Sequence, residues 1–119
     1  MKALRWHAAR DLRLEHLELQ APGAGEVELQ IAYCGICGSD LHEYQDGPHA
    51  IPTAEAHPIS GCRAPLTLGH EFCGVISAIG TGVSGLEIGD RVAVEFQLGY
   101  PAAGWHATLA GLAYGAVGK

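Results

Sequence analysis

Charge is scarce in this sequence. Asp, Glu, Lys and Arg make up 17% of its 119 residues, against roughly a quarter in ordinary globular chains. Basic charge is scarcer still: seven Lys and Arg stand against thirteen Asp and Glu, a formal net charge of −6. That argues against nucleic acid as a partner, because phosphate binding wants clustered cations. A mean hydropathy of +0.12 excludes wholesale disorder. Between Met1 and Arg10 there is no apolar run of the kind a secretory signal needs. Only four cysteines are present. Without an export signal a reducing, cytoplasmic setting is expected, where Cys and His together point to metal binding or reactivity. What the chain has in excess is glycine. Seventeen glycines are about twice the usual share and favour turns over long helices, since each interior Gly costs about 1 kcal/mol relative to Ala.

The length predicts one domain able to bury roughly two-thirds of the surface its unfolded chain exposes. Met1 to Trp6 and Leu12 to Leu19 alternate as strands do. Glu26 to Tyr33 places Val27, Leu29, Ile31 and Tyr33 on one face, which reads as a half-buried strand. Cys34-Gly35-Ile36-Cys37-Gly38 punctuates the chain, and Ser39 or Asp40 is placed to cap a short helical turn through Leu41 and His42. Residues 45–65 hold Pro48, Pro52, Pro58 and Pro65 with Gly47 and Gly61, so they read as an excursion loop of a length often functional. Phe72 to Ile79 reads as a buried strand, a turn follows at Gly80, Gly82 and Gly85, and Arg91 to Phe96 alternates again. Short strands with glycine turns predict a mainly β fold, a small barrel or sandwich with short helical turns. Phe96 to Gly118 contains no charged side chain. A run of that length raises a membrane span, but Pro101, His106 and five glycines make it a poor one, and no membrane is expected.

Cys37 and His70 carry the chemistry. Zinc takes nitrogen and sulfur ligands, and a catalytic site holds it by three protein groups with one position open. Cys37 sits on a glycine-flanked turn. His70 and Glu71 directly precede a buried strand, which would hold the imidazole rigidly, and Glu71 could ligate or act from behind the ligands. A single Cys or His is as readily a buried, inert side chain. Cys34-Gly-Ile-Cys37 also permits a redox dithiol, or half of a structural zinc site if Cys62 or Cys73 took part.

The stretches Tyr33-Cys34-Gly35-Ile36-Cys37-Gly38-Ser39-Asp40-Leu41-His42-Glu43, Leu68-Gly69-His70-Glu71-Phe72-Cys73-Gly74 and Gly89-Asp90-Arg91-Val92-Ala93-Val94 together resemble the zinc-dependent medium-chain alcohol dehydrogenases. The resemblance is strongest to the 2,3-butanediol and polyol dehydrogenase branch, which the opening MKALRWH and the insert HEYQDGPHAIPTAEAHPISG support. It covers residues 1–96 and implies a GroES-like, partly open β-barrel. It implies that Cys37 and His70 are zinc ligands, Glu71 the acidic neighbour that can join the metal, and Asp40 a carboxylate orienting the metal histidine. Ser39 would hydrogen-bond the substrate alcohol and His42 would pass its proton outward. Gly69 and Gly74 would allow close backbone packing about the zinc. The implied activity is oxidation of a secondary alcohol or vicinal diol by hydride transfer to NAD(P). The implied partner is thus a small-molecule alcohol or diol, and family subunits associate through the cofactor domain.

The departures set further expectations. In the family a Rossmann domain carrying G-x-G-x-x-G follows the β-domain; the tail holds no such motif, no NAD(P) site is expected here, and cofactor-binding residues are none. The family's cysteine-rich structural-zinc lobe would begin after Glu95, where residues 97–119 form instead a glycine-rich, charge-free tail. The expected domains are therefore 1–96, catalytic, and 97–119, atypical. The expected function is the catalytic-domain fragment of a diol dehydrogenase, truncated and inactive alone. The alternatives are a non-catalytic zinc-binding or interaction module, or the product of a disrupted dehydrogenase gene.

Overall fold

The computed structural model describes residues 1–58 and 61–94 in full and the backbone of 95–96 and 115–118. Seven strands and one helix account for the regular structure among them. They fall into two compact units. The first contains Met1–Leu19 and Ile36–Gly69; the second contains Gln20–Gly35 and the described residues from His70 onward.

In the first unit β1 (Lys2–Ala8) and β2 (Asp11–His16) pair antiparallel with Leu4 opposite Leu14 and Trp6 opposite Leu12. The short strand β4 (Leu66–Thr67) pairs with β1 at Trp6 and Arg5, giving the order β2-β1-β4. The two-residue strand β4 was hidden in the sequence by the prolines before it. The alternation of β1 works through Trp6, which is 1% exposed and packs with Ile51 and Leu66, flanked by Leu12, Ala64 and Leu68. Between β1 and β2 the chain turns at Arg10, in the left-handed region at φ 62. The Arg10 amide donates to the Tyr44 carbonyl at 2.6 Å, so the hairpin tip is tied to the last turn of the helix.

That helix, α1 (Gly38–Asp46), is longer than the turn expected at 39–42 and is capped earlier. Its N-cap is Cys37, with φ −87 and ψ 160, and Asp40 is its third residue. Asp40 serves the cap from inside: its Oδ2 accepts from the Cys37 amide at 2.9 Å, the reciprocal half of a capping box. The helix stops where Gly47-Pro48 begins, Pro48 having no amide to continue the ladder. No other helix or strand interrupts the described residues of the excursion loop before β4.

The second unit is a four-stranded antiparallel sheet ordered β3-β5-β6-β7, built from Val27–Cys34, Phe72–Ile79, Arg91–Phe96 and Gly115–Gly118. The bounds of β5 and β6 coincide with those read from the sequence. Phe72, Gly74 and Ile76 on β5 are buried, as are Val92 and Val94 on β6, with Phe72 opposite Val94 and Gly74 opposite Val92. This is period-two burial of one sheet face. β3 departs from its pattern. Val27 and Leu29 are half-buried, but Ile31 and Tyr33 are 38% and 78% exposed. Register shifts between Glu28 and Leu29 and between Ile31 and Tyr33 break the alternation that the sequence implied. β7 carries the sheet beyond Phe96, while the expected atypical character of 97–114 lies outside the described residues. The described residues are mainly β, and neither sheet closes into a barrel among them. No helix of the described residues is long and apolar enough to cross a membrane.

Candidate metal centre

Each unit presents part of the expected site. In the first, Cys37, Ser39, Asp40 and His42 lie on or beside the first turn of α1. Cys37 is half-buried at the cap position, and its carbonyl accepts from the Leu41 amide at 3.4 Å. Asp40 is half-buried against the Cys37 amide, whereas Ser39 and His42 are exposed. Asp40 therefore has a structural duty at the cap beside any support it gives a metal ligand.

In the second unit His70, half-buried, and Glu71, exposed, immediately precede β5. Gly69 before them adopts φ 106, a conformation that favours glycine. The end of β3 meets this point: Cys34 pairs with Phe72, and the Gly35 amide donates to the Glu71 carbonyl at 2.7 Å. The Glu71 carboxylate lies close over Gly35, its Oε2 3.5 Å from where a β-carbon on Gly35 would stand. Gly74 makes the close approach expected of it, but against the backbone of Gln30 and Ile31 on β3.

Two residues with clear structural roles escaped the sequence reading. Glu43 is 6% exposed, and its carboxylate accepts from the amides of His49, Ala50 and Ile51 at 2.9, 2.5 and 3.2 Å. Nothing distinguished it in sequence from a solvated helix acid. His49 hydrogen-bonds Asp46 at 2.9 Å. That bond raises the His49 pKa above its ordinary 6.5 and lowers that of Asp46 below its ordinary 3.8. Gly80-Thr81-Gly82-Val83-Ser84-Gly85 does spell G-x-G-x-x-G after a strand. Only turns separate β5 from β6, however, so no helix N-terminus is there to receive a pyrophosphate.

Cys37 offers a thiol, and His70 with Glu71 an imidazole and a carboxylate, ligand types that zinc accepts. All four cysteines are free thiols.

Comparison with known proteins gives the family. Residues 23–117 match the family described as Alcohol dehydrogenase GroES-like domain. The chain is 50% identical over 95 residues to the (R,R)-butanediol dehydrogenase of Bacillus subtilis, covering 80% of this chain and 28% of that protein. The crystal structure of 2R,3R-butanediol dehydrogenase from Bacillus subtilis superposes with a TM-score of 0.77 at 49% identity, over 79% of this chain and 27% of the other. A short chain alcohol dehydrogenase from Escherichia coli, solved with the cofactor NADH, gives a TM-score of 0.61 at 36% identity, over 79% and 24%. The chain thus spans about a quarter of the length of these proteins. Sequence profile, identity and superposition converge, and the chain belongs to the alcohol dehydrogenase family through its GroES-like domain.

Proposed function

We propose that this chain supplies the catalytic-zinc half of a dehydrogenase for a secondary alcohol or vicinal diol, with 2,3-butanediol or a polyol as the substrate class. Cys37, His70 and Glu71 would hold one zinc ion. The observation that carries this reading is the hydrogen bond from the Gly35 amide to the Glu71 carbonyl. Cys37 follows Gly35 by two residues, a chain reach of at most about 7 Å, and His70 is bonded to Glu71.

Zinc, when bound, supplies Lewis acidity at the alcohol oxygen, and NAD(P) the hydride acceptor. The chain's own residues handle the proton. Ser39 and His42 stand three apart on α1, the spacing of neighbours on one helix face. Ser39 would orient the substrate hydroxyl, and the exposed His42 would take its proton to solvent. Asp40 fixes the cap that presents Cys37. Free thiols throughout suit a reducing, cytoplasmic setting.

Residues 1–96 would carry this function and 97–119 would stand apart from it. Among the described residues no helix follows the glycine turn at 80–85, and the 119 residues tested by themselves are expected to bind zinc without oxidising a diol. Metal analysis of the Cys37→Ser, His70→Ala double variant tests the assignment. One equivalent of zinc in the unmodified chain and none in the variant is the expected result. Equal zinc in both would overturn it.

A further inference from the structure

On the exposed side of α1, two imidazoles and a carboxylate gather, and His49 and Asp46 have no part in the proposed zinc site. His42 and Asp46 stand four residues apart, the spacing that places side chains one turn above another. His49 follows the helix end. Its Nε2 lies 2.9 Å from Asp46 Oδ1, and its ring centre is 6.5 Å from that of His42, edge-on at 86°. The backbone beneath His49 is fixed, because the buried Glu43 carboxylate holds its amide at 2.9 Å. The side chains above are accessible: Asp46 is 71% and His49 52% exposed. Backbone position is therefore set by the fold, while the Asp46 and His49 side chains face solvent.

We propose that His42, Asp46 and His49 form a surface site for a divalent transition-metal ion, bound through two imidazole nitrogens and one carboxylate oxygen. Imidazole suits zinc, copper and nickel alike, and the Irving–Williams order ranks copper first among them. With metal–nitrogen bonds of about 2.0–2.1 Å, two neighbouring imidazoles on one ion have ring centres roughly 4.5–5 Å apart. From their 6.5 Å separation, His42 and His49 have to close by roughly 1.5–2 Å to meet that spacing, which side-chain rotation on an exposed face supplies. Asp46, which now accepts from the His49 ring, turns its free oxygen to the ion or keeps orienting the ring. A bound ion would engage the imidazole that the proposed proton path uses, so metal occupancy and proton transfer exclude one another.

The test is a Ni2+ titration of the full chain carrying Cys37→Ser and His70→Ala, followed by calorimetry and amide NMR. That background lacks two ligands of the zinc reading, so the two proposals stand or fall separately. One bound Ni2+ is expected, with paramagnetic broadening centred on residues 42–49. Adding His49→Ala, which keeps the amide that Glu43 holds, should weaken binding about tenfold or more, and His42→Ala should do the same. Broadening centred on His7, His16 or His57, or an affinity unchanged in both variants, would overturn the proposal.

Discussion

The indole Nε1 of Trp6 donates to the main-chain carbonyl of Glu43 at 2.8 Å, joining the most buried side chain of β1 to the middle of α1. Glu43 in turn reaches the other way, its carboxylate collecting the amides of residues 49–51. One residue thus connects strand, helix and excursion loop, and delivers Ile51 to the Trp6 core.

Removing that carboxylate should therefore cost more than an ordinary surface change. Glu43→Ala strands amides beside a buried site and is expected to destabilise the chain by about 2–4 kcal/mol. Glu43→Gln keeps one acceptor oxygen and should retain part of the stability. Urea unfolding of both variants measures the difference; a loss below about 0.5 kcal/mol for Glu43→Ala, the range of plain surface substitutions, would contradict the role given to this carboxylate.

Gly74 and Gly38 should respond oppositely to the same substitution. A β-carbon on Gly74 would run into the Gln30 carbonyl and stand 3.2 Å from the Ile31 Cα, both main-chain atoms of β3. Gly74→Ala is expected to lose on the order of 1–3 kcal/mol, since backbone must shift to make room. Gly38 has open space around it, so Gly38→Ala should be neutral or stabilising by up to about 1 kcal/mol. Thermal melts of the pair decide it, and equal effects would contradict the packing drawn for β3 and β5.

The His49–Asp46 pair should leave a pH signature. The hydrogen bond to Asp46 raises the His49 pKa above 6.5, so its contribution is full below 6.5 and fades as pH rises through the folded value. Asp46 is lowered below 3.8, so its contribution is present above 3.8 and is lost as pH falls through the folded value. The favourable window lies between, in mildly acidic solution. NMR titration should give His49 a midpoint above 6.5, returning toward it in Asp46→Asn. A His49 midpoint indifferent to Asp46→Asn would show that the ion pair does not persist in solution.

How much of this was legible in the sequence varies with the kind of signal. β5 and β6 were readable to the residue, because one buried face imposes period two on Phe72–Ile79 and Arg91–Phe96. The family was readable from the stretches around Cys37, His70 and Asp90, and residues 23–117 match its GroES-like domain. What escaped depends on contacts distant in sequence. The exposure of Tyr33 follows from register shifts against β5, and the role of Glu43 exists only because Trp6 and the loop at 49–51 come to it. β4 owes its pairing to β1, some sixty residues earlier, and has no pattern of its own.

The boundary placed at Phe96 can be put to the same kind of test. β7 pairs with β6 from Ala93 opposite Gly118 to Phe96 opposite Gly115, so cutting the chain after Phe96 removes a strand and bares the edge of β6. The sequence of that strand is Gly-Ala-Val-Gly. Two of its four residues are glycine, which weakens a strand for lack of a side chain to pack and for its entropy cost. A strand so composed is expected to contribute little, and truncation after Phe96 should change stability by no more than about 1 kcal/mol. Zinc stoichiometry should stay at that of the full chain, because every proposed ligand precedes the cut. Chemical denaturation and metal analysis of the truncated chain supply both readings. A loss of several kcal/mol, the scale of removing a packed aromatic side chain, would show that residues beyond Phe96 belong to the same cooperative fold and that the domain extends through the tail.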